Sequence, residues 1–376
     1  MKYMGSKRWM LQNGLGQILR AECSNASGFV DLFAGSGAVA SYIAQNCFLP
    51  VLASDLQGFS IVLTKAVIGR ESALDADRIW GLWSKRARAT RSKIRIPEPD
   101  KLTHANVRVY RKWSRTQNDY PITQAYGGHY FSPMQAIWID VLRQTLPEHD
   151  PSRTVALAAL ICAASQCAAS PGHTAQPFQP TRTAKRHLKE AWDKDILAHT
   201  HNALSLMASQ FALKQGDAFV ADANETARVL TPRDVAFIDP PYSGVHYSRF
   251  YHVLETIAKG ESGAVSGVGR YPPRTLRPQS RYSVKTHSLA ALEELLRRVA
   301  EKGATAILTF PSHKCSNGLS GSLIRQKASE LFRVKAKRVE RKFSTLGGNN
   351  KTGDNDKGRK ARHTAKELIL ILKPRA

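Results

Sequence analysis

The sequence predicts an α/β protein interrupted once by a separate lobe, and three observations carry that expectation. Residues 28–39 (GFVDLFAGSGAV) read as a short apolar strand, a glycine turn and the start of a helix. An apolar strand at 51–54 follows and ends at Asp55, which completes a βαβ unit. Between about 70 and 205 the texture changes, and after 210 the alternation of apolar strands and helical segments resumes.

In chain order, the helix begun at the glycine turn continues through residues 40–46. The middle third holds residues 85–95 (KRARATRSKIR), six basic side chains without an acidic one, and also Trp80, Trp83, Trp113 and Trp138. Residues 132–146 and 153–169 read as helices, the second rich in alanine, and 170–183 (SPGHTAQPFQPTRT) reads as a loop full of helix breakers. Residues 235–238 (VAFI) form a buried strand by length and branching. Leu289, Leu292, Leu295, Leu296 and Val299 give 288–301 helical periodicity. Strands are expected at 304–310, 334–343 and 367–372, with the polar, glycine-rich 346–362 as a mobile connection. The organisation expected is a domain formed by 1–70 and 210–376, with 71–209 inserted as a mainly helical lobe.

Charge is the unusual feature of the composition. The 376 residues carry 55 Lys+Arg against 30 Asp+Glu, a formal net charge of +25. Such a field attracts polyanions, and phosphate backbones are the commonest reason for it. An anionic membrane is the rival explanation, but no uninterrupted apolar run of about 18 residues is present. Residues 1–10 are polar and basic, unlike a secretory signal. Five scattered cysteines argue against a disulfide framework or a zinc site and for a cytoplasmic protein with reduced thiols.

Two short motifs carry chemistry. In Asp31-Leu32-Phe33-Ala34-Gly35-Ser36-Gly37 the glycines let the backbone approach a ligand, and the helix that follows offers unpaired N–H groups. Asp55 lies 20 positions past Gly35, where a carboxylate can meet the hydroxyls of a ribose. The pattern lacks the third glycine of a dinucleotide site, which points to a nucleoside without a pyrophosphate. The second motif, Asp239-Pro240-Pro241-Tyr242, directly follows the strand VAFI. Two prolines fix φ and remove two donors, so the chain leaves the sheet along a rigid path. A carboxylate and a carbonyl there can accept both N–H bonds of an adenine N6, an amine whose lone pair is delocalised. Tyr242 offers a face on which an unstacked base can rest. Direct methyl transfer to such an amine requires no metal and no covalent enzyme intermediate.

With these motifs in order, the sequence resembles the Dam-type, alpha-group adenine-specific DNA methyltransferases. The family's N-terminal K-[WY]-x-G-[GS]-K segment is matched by Lys2-Tyr3-Met4-Gly5-Ser6-Lys7, and Gly216-Asp217 fits the G-D that precedes D-P-P-Y. The resemblance covers roughly 1–70 and 210–376. It implies an S-adenosylmethionine (SAM)-dependent, Rossmann-like fold with a mostly parallel seven-stranded sheet, one strand of it antiparallel, and a target-recognition lobe. It implies that SAM is contacted by Tyr3 and Lys7, by Phe33, Ala34, Gly35, Ser36 and Gly37 around its methionine part, by Asp55 at its ribose and by Asp217 near its adenine, with Asp239 adjoining. Asp239, Pro240, Pro241 and Tyr242 would hold an adenine flipped out of double-stranded DNA.

The basic residues Lys85, Arg86, Arg88, Arg91, Lys93 and Arg95, with Arg182, Lys185 and Arg186, are candidates for phosphate contacts, as are Arg333, Lys335, Lys337 and Arg338. The bland alternative for any charge run is a solvated face. After the tetrapeptide, His246, Tyr247, Arg249 and His252 could handle a base, although Tyr247, Tyr251 and Leu254 share a helical face and packing explains part of the pattern. Trp80, Trp83 and Trp113 suit core anchors better than stacking platforms. A ribosomal-RNA adenine methyltransferase, a cytosine-N4 enzyme and a non-catalytic nucleic-acid-binding protein on the same scaffold stay open at this point, as does a cognate restriction enzyme as partner.

Overall fold

The computed structural model describes residues 7–97, 102–342 and 364–375. Seven strands form one sheet: β1 (Gly28–Asp31), β2 (Val51–Asp55), β3 (Asp217–Val220), β4 (Asp234–Ile238), β5 (Thr305–Pro311), β6 (Phe332–Lys342) and β7 (Thr364–Pro374). Their spatial order is β3-β2-β1-β4-β5-β7-β6. Neighbours from β3 to β5 pair in parallel, and β7 runs antiparallel to both β5 and β6. This is the mostly parallel seven-stranded sheet that the resemblance implies.

The order places a topological switch between β1 and β4. The chain winds outward from β1 toward β3 on one side and from β4 toward β5 on the other. Crevices that take ligands open at the carboxyl ends of strands flanking such a point. Every residue of β1 is buried, as are all but the first of β4, the mark of strands covered on both faces. Asp31 pairs with Phe237, and Leu32 N–H donates to the Phe237 carbonyl at 3.1 Å. The glycine turn and the tetrapeptide therefore leave the sheet side by side.

The expected elements are present with adjusted ends. The helices expected at 132–146 and 153–169 are Pro133–Gln144 and Ser152–Cys167. The first opens with a Ser132–Gln135 capping box and a proline in its first turn. The helix at 288–301 is Ser288–Glu301. Strand β3 had no counterpart in the sequence reading. Its four residues are mostly exposed or half-buried, so it lacks an apolar run. In the final hairpin β6 begins two residues earlier than expected, and β7 is longer than expected at both ends. Phe343 and the expected mobile 346–362 lie outside the described residues.

Helices between Ala76 and Ala208 pack against the helices Gly58–Ile68 and Ser248–Lys259. Trp83, Ile137, Leu160 and Leu204 from that stretch share a core with Phe59 and Leu63 of the Gly58–Ile68 helix and with Tyr251, Leu254 and Ile257 of the Ser248–Lys259 helix. Glu255 ties the last two helices together: its carboxylate accepts from Gly58 N–H and Phe59 N–H, both at 3.1 Å. Among the described residues, no helix is long and apolar enough to cross a membrane.

Trp80 and Trp83 behave as packing anchors. Trp83 is fully buried, its Nε1 donates to the Leu142 carbonyl at 2.8 Å, and Trp80 meets it edge-on at 5.6 Å. Trp83→Ala should therefore lower the free energy of unfolding by about 3–5 kcal/mol. Leu82→Ala, one residue away on the solvent side at 62% exposure, should stay within about 0.5 kcal/mol. Urea midpoints of the two variants check the contrast.

Candidate active site

The two motifs open into one cleft at the switch point. It holds about 960 Å³ of space, mouth included, and Lys7, Asp31, Phe33, Ala34, Gly35, Ser36, Asp55, Asp239, Pro240, Pro241, Tyr242 and Tyr247 are among its lining residues. That size suits a small-molecule site.

The glycine arm is built by backbone hydrogen bonds. Ala34 N–H donates to the Ser54 carbonyl at 2.9 Å, and Gly37 N–H to the Ala34 carbonyl at 2.8 Å. Gly35 and Gly37 have φ of 53° and 71°, values that L side chains resist. At Gly37, the N-cap of the Ala38–Asn46 helix, an added Cβ would also lie 2.8 Å from Thr64 Oγ1. Asp55 closes the arm: Oδ2 accepts from Gly35 N–H and Oδ1 from Gln57 N–H, each at 2.9 Å. Each carboxylate oxygen keeps a further acceptor site for a ligand hydroxyl. Burial pushes the Asp55 carboxyl up to about 6, against the lowering effect of those N–H donors.

The acidic corner is built by an ion triad. Lys7 Nζ lies 2.9 Å from Asp239 Oδ1 and 3.2 Å from Glu367 Oε2, with lysine and glutamate side chains almost wholly buried. Burial alone would lower the Lys7 pKa, but Asp239 and Glu367 outweigh it and raise it, so the ammonium stays charged. Asp239 moves upward as well, because burial disfavours its charge and Glu367 competes for the same cation. Thr309 Oγ1 donates to Asp239 Oδ1 at 2.8 Å. Both of these contacts fall on Oδ1; among the described residues, Oδ2 takes no hydrogen bond.

Asn317 fixes the far end of the tetrapeptide. Its Nδ2 donates to the Pro241 carbonyl at 2.8 Å and to the Tyr282 carbonyl at 3.0 Å. The Pro240 carbonyl accepts no hydrogen bond among the described residues. Tyr242 stands half-buried with Tyr247 edge-on at 6.5 Å, and Phe33 meets Tyr282 edge-on at 5.1 Å. Thr309, Asn317, Tyr282 and Glu367 carry no local sequence signal and come to the site only through the sheet order.

Not every expected residue arrives. Asp217 sits at the amino end of β3, opposite Leu52, and pairs with Lys65 Nζ at 2.8 Å near the surface. It does not line the cleft. Asp222, past the carboxyl end of β3, does so, and it caps the Ala223–Thr226 helix through Asn224 N–H at 2.9 Å. Tyr3 lies outside the described residues. His252 is buried, with ring nitrogens 2.9 Å from the Gly269 carbonyl and 3.1 Å from the Arg249 carbonyl, so it belongs to the core.

The basic candidates stand apart from the cleft walls. Lys85, Arg86 and Arg88 are exposed on the Ala76–Arg91 helix. Arg91 is committed to packing: it donates to the Ile94 carbonyl at 2.7 Å and lies 5.9 Å from the centre of the Trp138 ring. Arg182, Lys185 and Arg186 are exposed, the last paired with Glu190 at 2.7 Å.

The family model for the D12 class N6 adenine-specific DNA methyltransferases matches residues 3–120 and 123–295. The chain belongs to this class. Among curated relatives, the modification methylase StsI of Streptococcus sanguinis is 28% identical over 318 residues, which cover 80% of this chain and 42% of StsI. The modification methylase LlaI of Lactococcus lactis subsp. lactis is 26% identical, over 80% of this chain and 44% of its own length. The type II methyltransferase M.NlaIII of Neisseria lactamica is 25% identical, over 79% of this chain and 80% of its own length. The chain thus spans less than half the length of the first two. Membership in the D12 class implies SAM as methyl donor. The glycine arm fits it: Gly35, in a positive-φ conformation that favours glycine, borders the cleft beside the partly buried Asp55 carboxylate.

In this D12-class chain the buried Asp31 beneath the cleft has its own signature. Burial raises its carboxyl to about 7, while the Phe33 N–H, 3.2 Å from Oδ1, works the other way. The folded value stands above the unfolded value of about 3.9, so ionisation costs stability as pH climbs from about 4 to about 7. Asp31→Asn should therefore gain on the wild type through that window. Urea unfolding at pH 5 and pH 8 checks this; an unchanged difference between the two proteins contradicts it.

Proposed function

We propose that this chain transfers the methyl group of SAM to N6 of an adenine extruded from double-stranded DNA. The observation that carries the reading is a pair of acceptors on one corner, Asp239 Oδ2 and the Pro240 carbonyl, that take no hydrogen bond among the described residues and lie in the same cleft as the glycine arm. An exocyclic amine has two N–H bonds, and two acceptors held by a proline-locked backbone can draw both out of the base plane. That frees the nitrogen lone pair for attack.

SAM supplies the methyl as an electrophile. Phe33 to Gly37 and Asp55 would hold its amino-acid and ribose parts, and Asp222 lines the same cleft. Lys7 anchors Asp239 so that Oδ2 faces the amine rather than Oδ1. With its pKa raised, Asp239 is also a stronger hydrogen-bond acceptor than a surface carboxylate. Tyr242 supplies a face for the flipped base, whose extrusion costs a few kcal/mol. Positioning of two bound partners then supplies much of the acceleration.

Residues 71–209 form the target-recognition lobe in this reading, and the exposed Lys85, Arg86, Arg88, Arg182 and Lys185 contribute phosphate contacts. Relatives named as modification methylases and type II methyltransferases support a place in a restriction–modification system, beside a cognate restriction enzyme.

Incubation with SAM labelled in its methyl group and genomic DNA, followed by nucleoside digestion, tests the proposal. Label should appear in N6-methyladenine, and Asp239→Ala should lower kcat by about 10²–10³-fold, the scale for losing one preorganised polar contact. Lys7 keeps Glu367 as a partner in that variant, so the fold survives. Label in cytosine, or an undiminished rate in the variant, rules the mechanism out. Tyr242→Ala should cost about 1–3 kcal/mol in kcat/KM for DNA, and Tyr242→Phe much less.

A further inference from the structure

We propose that a second pocket beside the cleft, lined by His246, Ser248, Arg249, Arg274 and Arg277, holds a backbone phosphate of the DNA strand that carries the target adenine. The inference rests on the methyltransferase reading and adds a site to it.

Charge points to an anion. Gly244, Val245 and Gln279 complete the lining, so three arginines and a histidine face one another with no acidic residue among them. Among the described residues, none of the three arginines makes an ion pair. Arg274 donates instead to Gln279 Oε1, at 3.1 and 3.2 Å. The guanidinium groups of Arg249 and Arg277 both stand over the Tyr271 ring, 4.8 and 5.5 Å from its centre. Gathering like charges on one ring costs repulsion that a bound anion would relieve. Glu255 and Glu261 line a different pocket, which shares Ser248 and Arg277 with this one, and Glu255 is committed to Gly58, Phe59 and Lys259.

Unmet hydrogen bonds point the same way. His246 Nδ1, Ser248 Oγ and Arg277 Nε are buried polar atoms without a partner among the described residues, and all three residues line this pocket. Arg277 Nε can only donate; the serine hydroxyl and one imidazole tautomer can also donate. Such atoms are costly to leave unpaired, and three in one place call for a ligand rich in acceptor oxygens.

Position identifies the ligand as a phosphodiester of the same strand. Ser248 lines both the pocket and the cleft. In the 274–282 segment the walls alternate: Pro278 and Ser280 line the cleft, Arg277 and Gln279 the pocket. A base and its neighbouring phosphates are a sugar apart, so a nucleotide with its base against Tyr242 can place a phosphate across that shared wall. The site would hold the flipped strand by charge, with no reading of sequence.

Binding of duplex DNA measured over a range of salt concentrations tests this with the full chain. The Arg274→Gln/Arg277→Gln double variant should reduce the slope of log K against log salt by about one, the loss of one neutralised phosphate. It should keep the wild-type affinity for SAM by calorimetry, and Arg274→Lys/Arg277→Lys should restore much of the slope. Once the modified adenines are mapped, duplexes carrying a single neutral methylphosphonate place the contact. Wild type should lose about tenfold in affinity at a linkage flanking the target adenine, and the double glutamine variant should lose nothing further there. An unchanged salt slope, or an equal methylphosphonate loss in both proteins, overturns the phosphate site. The wild type's own methylation of adenine is scored in the same preparation. Its absence would instead sink the methyltransferase reading.

Discussion

Lys7 Nζ, 2.9 Å from Asp239 and 3.2 Å from Glu367, joins three distant parts of the chain in the floor of the cleft. A buried carboxylate and a half-buried one share one buried ammonium. Together they hold Lys7 charged, while desolvation, with the nearby Glu367 charge, moves Asp239 upward against the pull of Lys7. The triad also directs Asp239, because lysine and Thr309 both occupy Oδ1 and leave Oδ2 without a hydrogen bond among the described residues. A buried ion group of this kind is a weak source of net stability. Here it fixes orientation: the acceptor oxygen cannot turn away without stranding a cation.

Glu367 reaches the triad because β7 runs antiparallel between β5 and β6, placing Glu367 opposite Pro311 at the end of β5. Thr309, two residues earlier on β5, meets Asp239 from the same side. The reversed strand therefore supplies chemistry as well as an edge. On the other side of the switch, Glu255 couples the helix after the tetrapeptide to the start of the helix after β2. The glycine arm and the acidic corner are thus braced against each other by buried carboxylates, one on each flank.

Much of this was legible in the sequence. A strand with branched apolar residues and no alternation, such as VAFI, announces a covered parallel strand, and glycines with positive φ announce a close turn. Short-range signals therefore found both arms of the cleft, and the family resemblance implied the mostly parallel seven-stranded sheet. They failed where a signal was short or non-local. Strand β3 has only four residues, mostly exposed, and gave no strand signal, so the sequence did not show that Asp222 past its carboxyl end lines the cleft while Asp217 at its amino end does not. Thr309, Asn317 and Glu367 belong to no motif. Arg91 looked like a free cation in a basic run, yet its guanidinium packs against Trp138 and Ile94. Arg274 and Arg277 lie outside the runs and yet gather around one ring with Arg249, a grouping that only the folded chain displays.

A double-mutant cycle between Lys7→Met and Asp239→Asn, read as unfolding free energy at neutral pH, goes straight to the central claim. Groups that share a buried ion contact couple by about 0.5–3 kcal/mol, whereas independent sites add within about 0.3–0.5 kcal/mol. The structure predicts a coupling of at least about 1 kcal/mol, with each single change more damaging than its share of the pair. Additive effects would contradict it, since the acidic corner would then be held by something other than this lysine.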